Sequence, residues 1–265
     1  MTTIGVFDSG VGGLSVTRHL RALAPDVSIT YLADQGYGPY GDRSLTKVRQ
    51  RSLLAALRLL DEGVDEVVVA CNTASAAALE AIRAAHPHVP IVGMEPAVKP
   101  AVEITASGVV AVLATEATFQ GELYASLIAS FGDSASIVGL TGTGLAAAVE
   151  AGVLDGPEIE YLLAPHVDRI HAMGADVIVL GCTHYPFLID TLQTMAGPDV
   201  TIVDPAPAVA RQAIRRLPPA SGTGAGVCRF LTTGDAHRFA DQLRRMIGVE
   251  GTVEAASLNG PGLRG

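Results

Sequence analysis

Short β-branched runs alternate with longer segments of helical period along most of the chain. Runs such as residues 67–70 (Val-Val-Val-Ala) are apolar at every position, whereas the segments between runs are rich in Ala, Leu and Arg and carry apolar residues three or four positions apart. This alternation is typical of parallel strands joined by crossover helices, and strands without a polar face are covered by helices on both sides. We therefore predict an α/β fold of mostly parallel sheets flanked by helices.

The element boundaries follow from the positions where Gly, Pro, Asp and Cys interrupt these patterns. The predicted strands are short and rich in β-branched residues, and they cover residues 3–7, 28–33, 66–70, 91–94, 109–114, 136–139, 177–181 and 201–203. The predicted helices fill the gaps and cover residues 14–23, 45–62, 74–85, 119–130, 157–173, 187–195 and 206–217.

A repeat relates the two strongest strands. Residues 63–73 align without gaps with residues 174–184, so that Cys71 corresponds to Cys182 and a Gly and an Asp also fall in register. Such internal similarity favours two pseudo-symmetric lobes, each a parallel sheet flanked by helices, with an active site in the cleft between them.

The lobe boundaries are predicted from two proline-containing segments that interrupt periodic structure. The chain is predicted to cross to the second lobe in the segment Glu95-Pro96-Ala97-Val98-Lys99-Pro100. It is predicted to return to the first lobe in the segment Asp204-Pro205-Ala206-Pro207. The first lobe would then comprise residues 1–97 plus 208–265, and the second lobe residues 98–207.

Composition and charge narrow the class of protein. With 49% hydrophobic and 17% charged residues and no Trp, the chain is neither disordered nor a coiled coil, and its core must consist of small aliphatic side chains. The formal net charge of −9 argues against nucleic-acid and anionic-membrane partners. Three cysteines do not make a disulfide framework, and neither a signal peptide nor a membrane-spanning run is visible. We expect a reduced, cytoplasmic protein.

The two repeated cysteines are the strongest candidates for chemistry. Cys71 and Cys182 both follow the end of a predicted strand, where open α/β sheets bind their ligands, and each precedes a pair of polar residues. A buried cysteine is often only a small hydrophobic residue, but matched cysteines on two facing lobes could point into one cleft from opposite sides. Cys228, placed within a predicted strand, has no such setting, and we interpret it as a core residue.

The loop Asp8-Ser9-Gly10-Val11-Gly12-Gly13 follows the first strand and precedes a helix, so its backbone N–H groups could hold an anion. It is not a dinucleotide or ATP loop, because Ser15 stands where a further glycine is needed and no Gly-Lys-Ser/Thr follows. For Asp8 itself, position alone leaves a role in ligand binding and a role as a turn or N-cap residue both open.

Other polar residues at predicted strand ends could be caps or could bind carboxylates as neutral hydrogen-bond donors. They are Ser9, Asn72, Thr73, Thr115, Thr118 and Thr183. His184 could exchange a proton with the Cys182 thiol or stabilise its thiolate. Glu150, judged alone, reads as a surface charge at a helix end.

No metal or cofactor is predicted. Zinc on Cys71, Cys182 and His184 lacks the usual paired ligand spacing. A Schiff base with pyridoxal phosphate needs a well-placed lysine, and the chain offers only Lys47 within a helix and Lys99 between prolines.

Two acid/base groups that face each other across a small carboxylate suit racemisation, in which a proton leaves one face of a stereocentre and another arrives on the opposite face. One thiol must then be deprotonated while the other stays protonated, although a free thiol has a pKa of about 8.5. Asp8 beside one thiol and His184 beside the other are the candidates that set this difference.

Several segments together resemble the motif set of the bacterial glutamate racemase family, in order and along nearly the whole chain. They are Asp8-Ser9-Gly10-Val11-Gly12-Gly13, Pro39-Tyr40-Gly41, Cys71-Asn72-Thr73-Ala74-Ser75, Glu95-Pro96-Ala97, Thr115 with Thr118, Gly181-Cys182-Thr183-His184-Tyr185-Pro186 and Thr232-Thr233-Gly234-Asp235.

The resemblance implies a cofactor-independent racemase of the aspartate/glutamate racemase superfamily that supplies D-glutamate for peptidoglycan. It implies that Cys71 works on D-glutamate and Cys182 on L-glutamate, with Asp8, Glu150 and His184 assisting proton transfer. The residues that it implies for substrate binding are Asp8, Ser9, Tyr40, Gly41, Asn72, Thr73, Thr115, Thr118, Thr183 and His184. The expected partner is the small-molecule substrate, and a homodimer stays open because a single sequence carries no trace of oligomeric state.

Two rival interpretations remain. An aspartate racemase would use the same thiol chemistry, but those enzymes typically carry Glu where His184 stands. A carboxylate-binding protein with structural or redox-sensing cysteines would not need both thiols together with Asp8 and His184. One departure from the family pattern, the Gly-rich segment Gly36-Tyr37-Gly38, leaves the shape of the loop before Pro39 open.

Overall fold

The computed structural model describes residues 2–217 and 225–258, and the strands of these residues form two parallel sheets. The larger sheet contains β1 (Thr3–Asp8), β2 (Ser28–Ala33), β3 (Glu66–Val69), β4 (Ile91–Gly93), β9 (Cys228–Thr232) and β10 (Val253–Ala255), in the order β10-β9-β2-β1-β3-β4. The smaller sheet contains β5 (Val109–Ala114), β6 (Ser136–Thr141), β7 (Val177–Gly181) and β8 (Thr201–Val203), in the order β6-β5-β7-β8.

Helices flank both sheets and connect successive strands. In chain order they are α1 (Leu14–Leu23), α2 (Leu45–Asp61), α3 (Asn72–Ala85), α4 (Val98–Ile104), α5 (Glu116–Phe119), α6 (Glu122–Phe131), α7 (Leu145–Ala151), α8 (Pro157–Ala172), α9 (Ile189–Ala196), α10 (Ala206–Arg216) and α11 (Ala236–Ile247). Short 3₁₀ turns occur at Tyr40–Asp42 and Tyr185–Leu188. The predicted α/β class with parallel sheets is confirmed.

The two sheets repeat one topology. β1 pairs in parallel with β2 and β3, and β3 pairs with β4. In the same way β5 pairs with β6 and β7, and β7 pairs with β8. The strands that precede Cys71 and Cys182 therefore hold the same position in their sheets.

The apolar strands are buried on both faces, as their sequences predict. Along β3, Val67 and Val69 belong to one hydrophobic cluster and Val68 belongs to another. The cluster that contains Val68 also contains Leu113 and Leu180 from the smaller sheet. One continuous core thus joins the inner faces of the two sheets and positions their carboxyl ends relative to each other.

Three predicted helix boundaries are wrong, each because of a local hydrogen bond or turn. The helix predicted at 119–130 is two helices, α5 and α6, because the chain at Gly121 is extended. The helix predicted to begin at residue 74 begins at Asn72, because the Cys71 sulfur caps it by accepting the Ala74 N–H. The helix predicted from residue 187 begins at Ile189, after the 3₁₀ turn.

The two proline segments lie between elements of regular structure, and each also contributes a proline to the start of the helix that follows. Pro100 lies in the first turn of α4 and Pro207 lies in the first turn of α10. The first N–H groups of a helix have no partner within it, so proline is tolerated there and helices begin at these segments.

The ranges predicted above omit α4, α7, α11, β9 and β10, although the interpretation of Cys228 already placed a strand around that residue. Because β9 pairs with β2 and β10 pairs with β9, these two late strands belong to the larger sheet. The division into lobes of residues 1–97 plus 208–265 and 98–207 stays a prediction, and residues 218–224 and 259–265 of the first lobe lie outside the described residues. Within the described ranges, no helix combines the length and apolarity needed to cross a bilayer.

Candidate active site

Cys71 and Cys182 lie directly beyond the carboxyl ends of β3 and β7, the strands that the repeat relates. Both side chains are buried, and after burial and the charge of Asp8, Cys182 is a lesser cause that raises the pKa of the Cys71 thiol. Two buried thiols therefore lie at the carboxyl ends of equivalent strands in the two sheets. Cys228, by contrast, is half-buried at the start of β9 and packs against the edge of the core.

Cys71 has a neutral and negative environment. Its thiol donates a hydrogen bond to Ser9 Oγ over 3.7 Å, and its sulfur accepts the Ala74 N–H over 3.4 Å. Burial, together with the negative charge of Asp8, raises the pKa of the Cys71 thiol to about 12. At neutral pH the thiol of Cys71 is therefore protonated.

Cys182 has a different environment. Its sulfur lies 3.6 Å from Nδ1 of His184, and Nε2 of His184 lies 2.7 Å from Oε1 of Glu150. Burial opposes a charge on His184, but the hydrogen bonds to Cys182 and Glu150 outweigh burial and hold the pKa of His184 well above its usual value. Protonated His184 then places a positive charge beside the Cys182 sulfur.

Glu150 is a buried member of this chain of contacts and not a surface charge. Its Oε1 also accepts the Val11 N–H over 2.7 Å, and its Oε2 accepts a hydrogen bond from Gln35 over 3.2 Å. Burial raises the pKa of Glu150, but the hydrogen bond and charge of His184 exceed that effect, so the pKa is lowered overall. A Cβ on Gly10 would overlap the Glu150 carboxylate, so only glycine allows this approach.

Asp8 connects the loop after β1 to the segment after β7. Its Oδ1 accepts the Gly10 N–H and its Oδ2 accepts the Thr183 hydroxyl, both over 2.9 Å. Burial is the main reason that the pKa of Asp8 is raised. Gly10 and Val11 thus donate to carboxylates of the protein itself, so the predicted anion-binding loop already binds Asp8 and Glu150.

Three predicted substrate-binding threonines form a triangle of hydroxyl groups. Thr73 Oγ1 lies 3.0 Å from Thr115 Oγ1 and 3.4 Å from Thr118 Oγ1, and the last two atoms are 2.9 Å apart. Thr73 belongs to the segment after Cys71, whereas Thr115 and Thr118 follow β5. The triangle therefore joins the two sheets at their carboxyl ends.

Asn72 has a buried amide with no hydrogen-bond partner for either its oxygen or its nitrogen among the described residues. An unsatisfied buried amide costs about 1–3 kcal/mol. Because Asn72 lies between Cys71 and Thr73, a ligand at the thiols is the natural partner for this group.

Tyr40 and Gly41 approach the same region from the first sheet. A Cβ on Gly41 would lie 2.9 Å from Thr115 Cγ2, so the backbone of Gly41 contacts this residue. The Tyr40 hydroxyl donates to Asp34 Oδ2 over 2.6 Å, and Arg51 forms an ion pair with the same carboxylate. The side chain of Tyr40 therefore fixes the loop that brings Gly41 to Thr115.

The Gly-rich segment before Pro39 has a defined shape. Gly36 N–H donates to Thr233 Oγ1 over 3.0 Å, and Gly38 N–H donates to the Asp34 carbonyl over 2.9 Å. A Cβ on Gly38 would overlap the Ser9 carbonyl, so the extra glycine permits close packing against the loop after β1.

Sequence reasoning missed Gln35 and Gln242, which contact Glu150 and each other. Gln35 lies next to the predicted substrate loop, so its position offered a weak signal. Gln242 is a single amide within α11 and offered none. Among the described residues, no group of three His, Cys, Asp or Glu side chains is arranged to hold a metal ion.

Comparisons with known proteins agree with this architecture. A sequence model of the Asp/Glu/Hydantoin racemase family matches residues 4–213. The chain is similar to the glutamate racemase of Ectopseudomonas mendocina (strain ymp), with 42% identity over 94% of this chain and 96% of the relative.

Two solved structures share the fold over almost their whole length. One is the glutamate racemase of Francisella tularensis in complex with D-glutamate, with a TM-score of 0.85 and 25% identity over 97% of this chain and 98% of that one. The other is the Escherichia coli glutamate racemase in complex with L-glutamate and the activator UDP-MurNAc-ala, with a TM-score of 0.83 and 31% identity over 98% of this chain and 99% of that one.

Proposed function

The chain belongs to the Asp/Glu/Hydantoin racemase family and is an isomerase, and from this premise we propose that it interconverts L- and D-glutamate with Cys71 and Cys182 as the two acid/base groups. The proposal includes a cytoplasmic role in supplying D-glutamate for peptidoglycan. The observation that carries it is the pair of buried thiols at equivalent strand ends of the two sheets, with the Cys71 sulfur 3.7 Å from Ser9 Oγ and the Cys182 sulfur 3.6 Å from His184 Nδ1.

The choice of substrate rests on similarity. The relative described above is named a glutamate racemase, and one of the two structural neighbours binds D-glutamate while the other binds L-glutamate. Coverage of nearly the whole chain supports the same substrate here.

For L-glutamate, Cys182 is the base. Its sulfur is beside the protonated His184, which Glu150 holds on the opposite ring nitrogen. The thiolate takes the α-proton, the electron pair stays on the α-carbon, and Cys182 becomes a thiol. Positioned acid/base groups of this kind contribute roughly 10²–10⁴-fold to a rate.

Cys71 then acts as the acid. Its raised pKa keeps the thiol protonated until a carbanion forms, and its S–H proton goes to the face of the α-carbon opposite Cys182. The product is D-glutamate, with Cys71 left as a thiolate. Starting from D-glutamate, the two cysteines exchange roles, so Cys71 removes the proton and Cys182 donates one.

Neutral donors hold the substrate carboxylates. The unpartnered Asn72 amide and the triangle of Thr73, Thr115 and Thr118 hydroxyls offer hydrogen bonds without a full positive charge. Such donors bind both enantiomers in the same way, because they contact the carboxylates, which racemisation leaves unchanged. Ser9, Thr183 and the backbone of Tyr40 and Gly41 complete the proposed binding residues.

Proton NMR in D₂O tests the proposal. The purified protein is incubated with L-glutamate, and separately with L-aspartate, without added metal or cofactor. We expect the glutamate α-proton signal to disappear while D-glutamate appears on a chiral column. Exchange on aspartate alone would reassign the substrate, and no exchange on either in a folded, reduced sample would refute the racemase function.

A further inference from the structure

Two linked glutamines contact Glu150, one at the carboxylate oxygen that does not face His184 and the other at the backbone carbonyl. Gln35 Nε2 donates to Glu150 Oε2 over 3.2 Å and also to Gln242 Oε1 over 2.8 Å. Gln242 Nε2 donates to the backbone carbonyl of Glu150 over 2.6 Å. Gln35 and Gln242, which we name the amide bridge, thus close a ring of hydrogen bonds on Glu150.

The orientation of this bridge is fixed by a third contact. The hydroxyl of Thr232, fully buried at the end of β9, donates to Gln35 Oε1 over 3.0 Å and accepts the Gly234 N–H over 3.0 Å. With its oxygen occupied, the Gln35 amide must turn its NH₂ group toward Glu150 and Gln242. Both protons of that group then have an acceptor, a pattern that a carboxylate or an apolar side chain cannot reproduce.

We propose that Gln35 and Gln242 are positioning residues that hold the Glu150 carboxylate against His184, so that the His184 ring stays beside the Cys182 sulfur. The inference rests on the proposed function, because it assigns the bridge to the step in which Cys182 exchanges a proton with L-glutamate. Glu150 is near the end of the short helix α7, and among the hydrogen bonds of the described residues only Gln35 and the Val11 N–H hold its carboxylate besides His184.

The amide bridge is expected to affect the Cys182 side of the site and not the Cys71 side. Among the hydrogen bonds of the described residues, neither glutamine contacts Ser9, Ala74 or Asp8, which surround Cys71. Loss of the bridge should therefore slow the Cys182 step and leave the Cys71 step unchanged.

Isotope effects separate the two steps. The equilibrium constant between enantiomers is one, so any loss of kcat/KM is the same in both directions and cannot reveal the affected face. The deuterium on α-deuterated L-glutamate is removed by Cys182, whereas the deuterium on α-deuterated D-glutamate is removed by Cys71. A slower Cys182 step therefore raises the isotope effect with L-glutamate and lowers it with D-glutamate.

The test compares wild type with Gln35→Met and Gln242→Met, which keep side-chain length but remove the amide. We expect kcat/KM to fall about tenfold, as for one misplaced catalytic contact, with KM within about twofold of wild type. The control is Gln193→Met, because Gln193 also donates two hydrogen bonds, to the carbonyls of Gly197 and Val200, but lies in α9. This control should keep both isotope effects.

The outcomes distinguish the inference from the function on which it rests. A wild-type protein without glutamate racemisation refutes the function. A racemising wild type whose bridge variants keep their rate, or lose rate while the two isotope effects change together, refutes the positioning role. A fall in the midpoint of thermal unfolding with unchanged isotope effects would likewise overturn it in favour of a structural role.

Discussion

Cys71 and Cys182 occupy the same point of two equivalent sheets, yet their surroundings are opposite in charge. Cys71 faces the Ser9 hydroxyl and the negative charge of Asp8, and its pKa is raised to about 12. Cys182 faces the imidazole of His184, whose raised pKa makes it a cation at neutral pH. The repeated sheet places two thiols symmetrically, and the loops around them make the thiols chemically different.

Because of this difference in charge, the site as it stands suits one direction of the proposed reaction. A cation beside Cys182 and a protonated Cys71 match the proposed conversion of L-glutamate. The reverse reaction needs the opposite pair of protonation states. Asp8, which raises the pKa of Cys71 and contacts Thr183 next to Cys182, is placed to influence both thiols.

The largest effect is expected from substitutions that remove either thiol. Cys71→Ser and Cys182→Ser should each lower racemisation by at least about 10³-fold, because a serine hydroxyl is far too weak an acid to replace a thiol in either step. Glutamate affinity, measured by calorimetry, should stay within about threefold, since the serine keeps nearly the same volume. Near-normal turnover in either variant would contradict the two-thiol mechanism, and Cys228→Ser is the control that should retain full activity.

The next largest effect is expected from a substitution that removes only the cation beside Cys182. His184→Asn should lower kcat/KM by about 10–100-fold, the cost of losing a hydrogen bond to a charged group. The isotope effect with α-deuterated L-glutamate should rise above that of the amide-bridge variants. His171→Asn is a matched control, because His171 contacts only the Ala196 carbonyl in the hydrogen bonds of the described residues. Equal changes in both isotope effects would mean that His184 assists proton transfer at both Cys71 and Cys182.

A smaller effect concerns the charge beside Cys71. In Asp8→Asn, the pKa of Cys71 should move down from about 12, because a negative charge that opposes ionisation is gone. It should remain above the usual thiol range, since burial persists and is the larger cause. A ¹³Cβ-cysteine NMR titration measures this shift directly. Asp133→Asn, at an exposed turn, should leave the titration unchanged, and an upward shift in Asp8→Asn would contradict the electrostatic account.

The sequence predicted the features that the two thiols share better than the features that distinguish them. Continuous apolar runs predicted the central strands, and the alignment of residues 63–73 with 174–184 predicted that Cys71 and Cys182 follow equivalent strands. Both signals are local, because a strand buried on two faces must be apolar throughout.

The contacts that distinguish the two thiols are long-range, and the sequence pattern did not reveal them. Glu150 reads as a helix-end surface charge until the fold brings Val11 and Gln35 to its carboxylate. Gln242 comes from α11, a helix that the periodicity analysis omitted, and nothing in a single glutamine indicates a contact with Glu150.

The smallest expected effect tests a part of the site that both directions share. Thr118 is buried, and its hydroxyl contacts those of Thr73 and Thr115. Thr118→Val keeps the shape of the side chain and removes one donor, which should raise KM about fivefold, equivalent to about 1 kcal/mol. The change should be equal for L- and D-glutamate, with kcat and both isotope effects unchanged, because the triangle holds groups that do not invert. Thr194→Val, on the exposed side of α9, is the control, and a KM change confined to one enantiomer would place Thr118 with one thiol instead of the shared binding surface.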